Sequence, residues 1–384
     1  MKTNLKKLLY SGVTLMSLGV LAACSSTSSS TTTSSSAATS QTSVATTSNN
    51  STSSDSSSST IDWSALPTTE VTLSNDGLKI TEGGTYILTG STTAGVTVET
   101  DANVRIILAG AEISSSDNAA INVIKADNVE LEIKDGTTNT VKDTSNHTDT
   151  NIEGAIHVEA DLTITAGNGS LTVEGNFQDG IVSTDDLVVN SGNITVTAVD
   201  DGIRGKDSLT INGGTINVTA GGDGIKSTND TDTTKGYTTI TGGDITVKAG
   251  DDAIKAETAL TIDGGTIAVP ESVEALEGTN ITINGGTLDV YGSDDAINAA
   301  STTSSDIYIK VTGGDLKVAV GSGDTDAFDA NGNLYISGGT IAVTAPTSAF
   351  DFDGTVEFTG GTVTVNGEQI TEITHTGPGG RGGW

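Results

Sequence analysis

A fixed period in the second half of the chain restricts the fold more than any other feature. Units close on a small residue at Gly180, Gly202, Gly224, Ala253, Ala275, Ala296, Ala327 and Ala349, at steps of 22, 22, 29, 22, 21, 31 and 22 residues. A repeat of this length describes stacked units, each burying its apolar strip only against its neighbours. Inside the unit Ile203 to Gly224, Leu209 and Ile211 alternate with polar residues up to Gly213-Gly214, and Ile216 and Val218 alternate after it. The same inward set returns as Leu260, Ile262, Ile267 and Val269, then Leu334, Ile336, Ile341 and Val343. Period-two alternation marks short strands with one buried face. The glycine pair supplies a bend.

A third strand begins at each acid–small–apolar triplet, such as Asp223-Gly224-Ile225. No stretch outside the N-terminus carries a 3.6-residue apolar face, so the expected fold is all-β. Three short strands per coil of about 22 residues predict a right-handed parallel β-helix, the hand following the usual crossover rule. With 34% hydrophobic and 3% aromatic residues among 384, the chain is too poor in apolar volume for one compact globule, but a solenoid needs only a thin strip per coil.

The chain divides readily. Residues 1–23 read as a signal peptide: Lys2, Lys6 and Lys7 precede an apolar run from Leu8 to Leu21 that is short for a membrane span. Leu21-Ala22-Ala23-Cys24 resembles the lipobox of bacterial lipoproteins. That resemblance implies lipidation of Cys24 and attachment to the outer side of a bacterial cell membrane; a plain signal peptide is the alternative. Residues 24–60 are a Ser/Thr-rich linker that cannot bury enough surface to fold, and 377–384 form a Gly-rich tail expected to be disordered. Residues 61–376 are the β-helix. Within it, 79–89 read as an N-terminal cap, and polar insertions at 135–154, 229–235 and 300–306 interrupt the period. Insertions in a solenoid often line its binding face.

A net charge of −32 excludes nucleic acid and anionic lipid as partners and is compatible with divalent cations, although solubility alone accounts for much of it. The single cysteine leaves no disulfide framework. His147, His157 and His375 lack zinc-ligand spacing, and no phosphate loop, cofactor motif or nucleophile–base pair is present. A monomer is expected.

An acid precedes the small residue in seven successive units: Asp179, Asp201, Asp223, Asp252, Glu274, Asp295 and Asp326. Stacking would set them in one file about 4.8 Å apart, widened by Asp200, Asp251 and Asp294. Unit charges at 4 Å cost about 1 kcal/mol even in water, so something must offset the repulsion. Ca²⁺ shared by carboxylates of adjacent coils would do so. The competing account is that each Asp caps its local turn, with Arg204, Lys226 and Lys255, three positions on, balancing charge. The same three bases beside Ca²⁺ would suit a polysaccharide lyase that removes the α-proton of a uronate. Tyr291, Tyr308 and Tyr335 are candidate sugar contacts, because a ring covers the apolar face of a pyranose.

The run from Asp200 to Ile216, with Asp-Asp-Gly-Ile followed by Leu-Thr-Ile-Asn-Gly-Gly-Thr-Ile, resembles the carbohydrate-binding domain-containing proteins. So do Glu274-Ala275-Leu276-Glu277-Gly278 and Ala349-Phe350-Asp351-Phe352-Asp353-Gly354. The resemblance covers about residues 70–365. It implies a pectate-lyase-like right-handed β-helix that binds Ca²⁺ and polysaccharides such as cellulose and polygalacturonate. Asp200, Asp201, Asp223, Asp251, Asp252, Glu274, Glu277, Asp294 and Asp295 are the expected metal ligands. The expected function is binding of a polysaccharide, acidic or of cell-wall type. The alternatives are a Ca²⁺-dependent lyase acting through Arg204, Lys226 and Lys255, and an adhesive or structural stalk.

Overall fold

A computed structural model describes residues 61–323 and 325–375. The signal peptide, Cys24, the linker and the tail lie outside the described residues.

The repeat folds as three parallel sheets wound around one apolar interior. In a representative coil, Ser208–Ile211 lies in the first sheet, Thr215–Ala220 in the second and Ile225–Ser227 in the third. Each strand pairs in parallel with its equivalent in the coil before and the coil after. This is the parallel β-helix expected from the period. Leu209, Ile211, Ile216, Val218 and Ile225 all point inward and are buried, as are their equivalents along the array. Near the C-terminal end Phe328 stacks on Phe350, with ring centroids 5.4 Å apart.

The second glycine of each pair makes the bend between the first two sheets. Gly214 has φ +106°, where an L-residue is strained, and a Cβ there would lie 2.8 Å from the Gly192 carbonyl oxygen of the previous coil. The small residue of the triplet is needed for a different reason. At Gly202 a Cβ would collide with Val218 Cγ1 and the Gly224 carbonyl oxygen. Gly202→Ala should therefore destabilise the protein by about 1–3 kcal/mol, the usual range for overpacking, which outweighs the ~0.4–1 kcal/mol gained from a stiffer unfolded chain. A denaturation midpoint equal to or above wild type would show that the coils can part to admit the methyl.

Two expectations change. Residues 79–89 are not a separate cap. Leu78–Ile80 pairs in parallel with Val96–Glu99, and Thr68–Leu73 pairs with Gly84–Thr92, so the solenoid is already winding there. The interruption at 135–154 is shorter than it reads, because Thr138–Lys142 is a strand of the second sheet, paired on both sides; only the stretch after it loops out. At the other end the array closes with an antiparallel hairpin, in which Thr362–Val365 pairs with Glu368–Ile370. Asn366 and Gly367 make its two-residue turn with φ +51° and +88°, the geometry that suits the twist of a hairpin.

Candidate functional site

The register of the third sheet sets one outer column: His157, Val182, Arg204, Lys226, Lys255, Glu277, Asn298, Asp329 and Asp351. The acid file runs beside it, three residues earlier in each coil. File and column together form a charged strip along the solenoid.

At four steps of the file, one carboxylate oxygen accepts a hydrogen bond from the backbone N–H of the next coil's acid. Asp179 accepts from Asp201 (3.1 Å), Asp201 from Asp223 (3.0 Å), Asp223 from Asp252 (2.9 Å) and Asp295 from Asp326 (2.7 Å). The competing account, in which each Asp caps its own local turn, is changed in this respect: the bonds join coil to coil. The other oxygens meet the column's cations. Arg204 pairs with Asp179 (3.0 Å) and with Glu153. Lys226 lies 2.6 Å from Asp201 and 2.9 Å from Asp223. Lys255 lies 2.8 Å from Asp252 and also pairs with Glu277. Burial pulls the Lys226 ammonium down, but Asp223 and Asp201 outweigh it and hold the amine protonated; the same balance raises Lys255 and Arg204. A general base needs the opposite, so this pairing does not suit a proton-abstracting role.

Beyond Lys255 the column changes sign. Glu277, Asn298, Asp329 and Asp351 occupy it where cations stood before. Burial, with neighbouring acids, pushes Glu274 up to about 7, Asp295 up to about 6 and Asp329 up to about 7. Sequence reasoning missed Asp329 and Asp351, although the three-residue offset that gave Arg204, Lys226 and Lys255 also gives both. It missed Glu153 because its loop has no period to align.

The nine expected ligands separate. Carboxylate oxygens of Asp223, Asp251 and Asp252 lie within 4.8 Å of one another, as do those of Asp252, Glu274 and Glu277. Asp200, Asp201, Asp294 and Asp295 join neither group. Asp201 is held by Lys226, while Asp200 and Asp294 are exposed.

Two of the insertions stand on one side of the solenoid and flank a groove of about 620 Å³. Asp230 and Thr233 form one wall, residues 300–304 the other, and Lys255, Glu257, Glu277, Thr279 and Asn280 the floor. The groove thus meets the charged strip at Lys255 and Glu277. Tyr308 and Tyr335 lie together in a second cleft of about 480 Å³ on the first sheet, their centroids 6.3 Å apart and their planes tilted by 57°. Tyr291 does not join them; it belongs to Thr287–Gly292 in the second sheet.

The family model of carbohydrate-binding domain-containing proteins matches residues 74–327. The chain belongs to this family. A carbohydrate-binding domain-containing protein of Acetivibrio thermocellus is 32% identical over 136 residues, which cover 33% of this chain and 47% of that relative. The match therefore spans about half the relative's length. Among solved structures, a polysaccharide lyase-like protein from C. thermocellum, studied as a gadolinium derivative, superposes with a TM-score of 0.53 at 32% identity, over 54% of this chain and 93% of that one. The structural similarity agrees with the β-helix described above.

Proposed function

We propose that this member of the carbohydrate-binding family binds polysaccharide in the groove between its two insertions, and that Ca²⁺ held by Asp252, Glu274 and Glu277 assists an acidic polymer there. The observation that carries this reading is the opening of that carboxylate group, through Glu277, into the 620 Å³ groove. Its donors are all oxygens, as a hard cation requires. Glu274 Oε2 is buried, and Asn298 is the side-chain hydrogen-bond partner of this carboxyl. The Lys255 ammonium bridges Asp252 and Glu277, and would either give way to an ion or turn to a uronate carboxylate. A bound ion would supply positive potential to a strip that otherwise repels polyanions. We further propose that Cys24 carries the lipid and displays the domain outside the cell. Cys24→Ser should then move the protein from the membrane fraction to the medium.

Retention on Ca²⁺-gelled polygalacturonate, with and without chelator, tests the groove. Glu274→Gln should weaken Ca²⁺ binding by about tenfold or more, judged from the effect of disturbing metal-site carboxylates, and reduce retention in step. Retention that ignores both chelator and substitution would remove Ca²⁺ from the mechanism. Unsaturated uronate in the supernatants would instead favour the lyase, despite the ion pairs that hold Arg204, Lys226 and Lys255 protonated.

A further inference from the structure

The tyrosine cleft differs in chemistry from the groove, and only the insertion 300–306 separates them: Ser304 lines the groove and Asp306 lines the cleft. Both lie on consecutive coils, since Asn280 on the groove floor pairs in register with Tyr308. Lys310, Tyr335 and Glu357 succeed one another in a single column across three coils. The rings are half-buried, and Asp306, Lys310 and Glu357 are exposed around them. The cleft therefore offers two ring faces, one ammonium and two carboxylates. No trio of closely approaching carboxylates lies in it among the described residues; both such groups belong to the charged strip.

We infer that this cleft is a second glycan subsite, selective for an uncharged pyranose unit and independent of Ca²⁺. The inference rests on the carbohydrate-binding reading. Two tilted rings can cover the apolar faces of a sugar, since an aromatic side chain buries a large apolar area while keeping a polar tip in water. Lys310, Asp306, Glu357 and the tyrosine hydroxyls supply donors and acceptors for ring hydroxyls. A uronate would face two carboxylates against one ammonium and is disfavoured. The protein would thus hold acidic segments at the groove and neutral segments at the cleft.

Isothermal titration of the purified full chain with cellohexaose in EDTA tests this, with retention of the same variants on Ca²⁺-gelled polygalacturonate measured separately in calcium without EDTA. Cellohexaose should bind without calcium. Tyr308→Ala and Tyr335→Ala should each weaken it at least about tenfold, the scale of an aromatic anchor, and Tyr335→Trp should retain it. Melting temperatures identify any variant that fails to fold, and polygalacturonate retention should be unchanged. Loss of cellohexaose binding in EDTA overturns the calcium independence. Parallel loss of both ligands in the alanine variants overturns the separate subsite. Wild type that holds polygalacturonate but not cellohexaose overturns the cleft and leaves the groove standing. Failure with both glycans overturns the carbohydrate reading as well.

Discussion

Lys226→Ala is expected to cost about 3–5 kcal/mol of stability, the range found when one partner of a buried ion pair is removed. Its ammonium is the one cation touching both Asp201 and Asp223, whose side chains are only 7% and 8% exposed. Without it, two buried carboxylates on adjacent coils face each other uncompensated. The triple variant Asp201→Asn, Lys226→Met, Asp223→Asn should recover most of the loss, because replacing a buried ionic group by neutral residues is often close to neutral. The amides can still accept the interior N–H bonds of Asp223 and Asp252. Denaturant midpoints of the single and triple variants decide the matter. A single variant within about 0.5 kcal/mol of wild type would mean that water, rather than Lys226, neutralises the file at this coil.

The second large effect is on pH dependence without calcium. Burial, with neighbouring acids, holds Asp179, Asp252, Glu274 and Asp329 up at about 7 and Asp295 up at about 6, against ordinary values of 3.8 for Asp and 4.5 for Glu. Between those limits the folded state binds protons that the unfolded chain has released. Their contribution is therefore fully present below about pH 4 and is lost as pH rises through 6 to 7. His157 acts in the opposite direction. Burial lowers it to about 4 from 6.5, so its contribution is lost as pH falls through that window. Five acids against one histidine leave the chelated protein more stable at pH 5 than at pH 8. The difference is about 1–2 kcal/mol once screening at these half-buried positions is allowed for. In the proposed mechanism Ca²⁺ offsets part of the loss, so added calcium should raise the melting temperature more at pH 8 than at pH 5. A melting temperature that climbs steadily from pH 5 to 8 in chelator would contradict the burial of these carboxyls as ionisable groups.

Both effects belong to the charged strip, whose position was legible in the sequence only in part. The acid file follows from the repeat because period and strand geometry together stack equivalent residues. Arg204, Lys226 and Lys255 follow from a constant offset. Which acid meets which cation does not follow. Lys226 reaches back one coil to Asp201 and Lys255 forward one coil to Glu277, and a long flexible side chain can do either. Tyr308 and Tyr335 come together because they occupy nearby positions of adjacent first-sheet strands. Tyr291 has the same composition signal but sits past a glycine bend, in another sheet.

By itself, the sequence determined the coil. Its period, its alternation and its glycine pairs each encode a local geometry, and stacking identical geometries leaves one family of folds. It also determined that acids would stand in a file. Tertiary structure alone decided what the file does, because electrostatics depends on distances between coils that are 21 to 31 residues apart in sequence. It placed the insertions at 229–235 and 300–306 side by side across the groove. It also ended the array in an antiparallel hairpin, since the last coil has no successor to pair with and must satisfy its edge by turning back on itself.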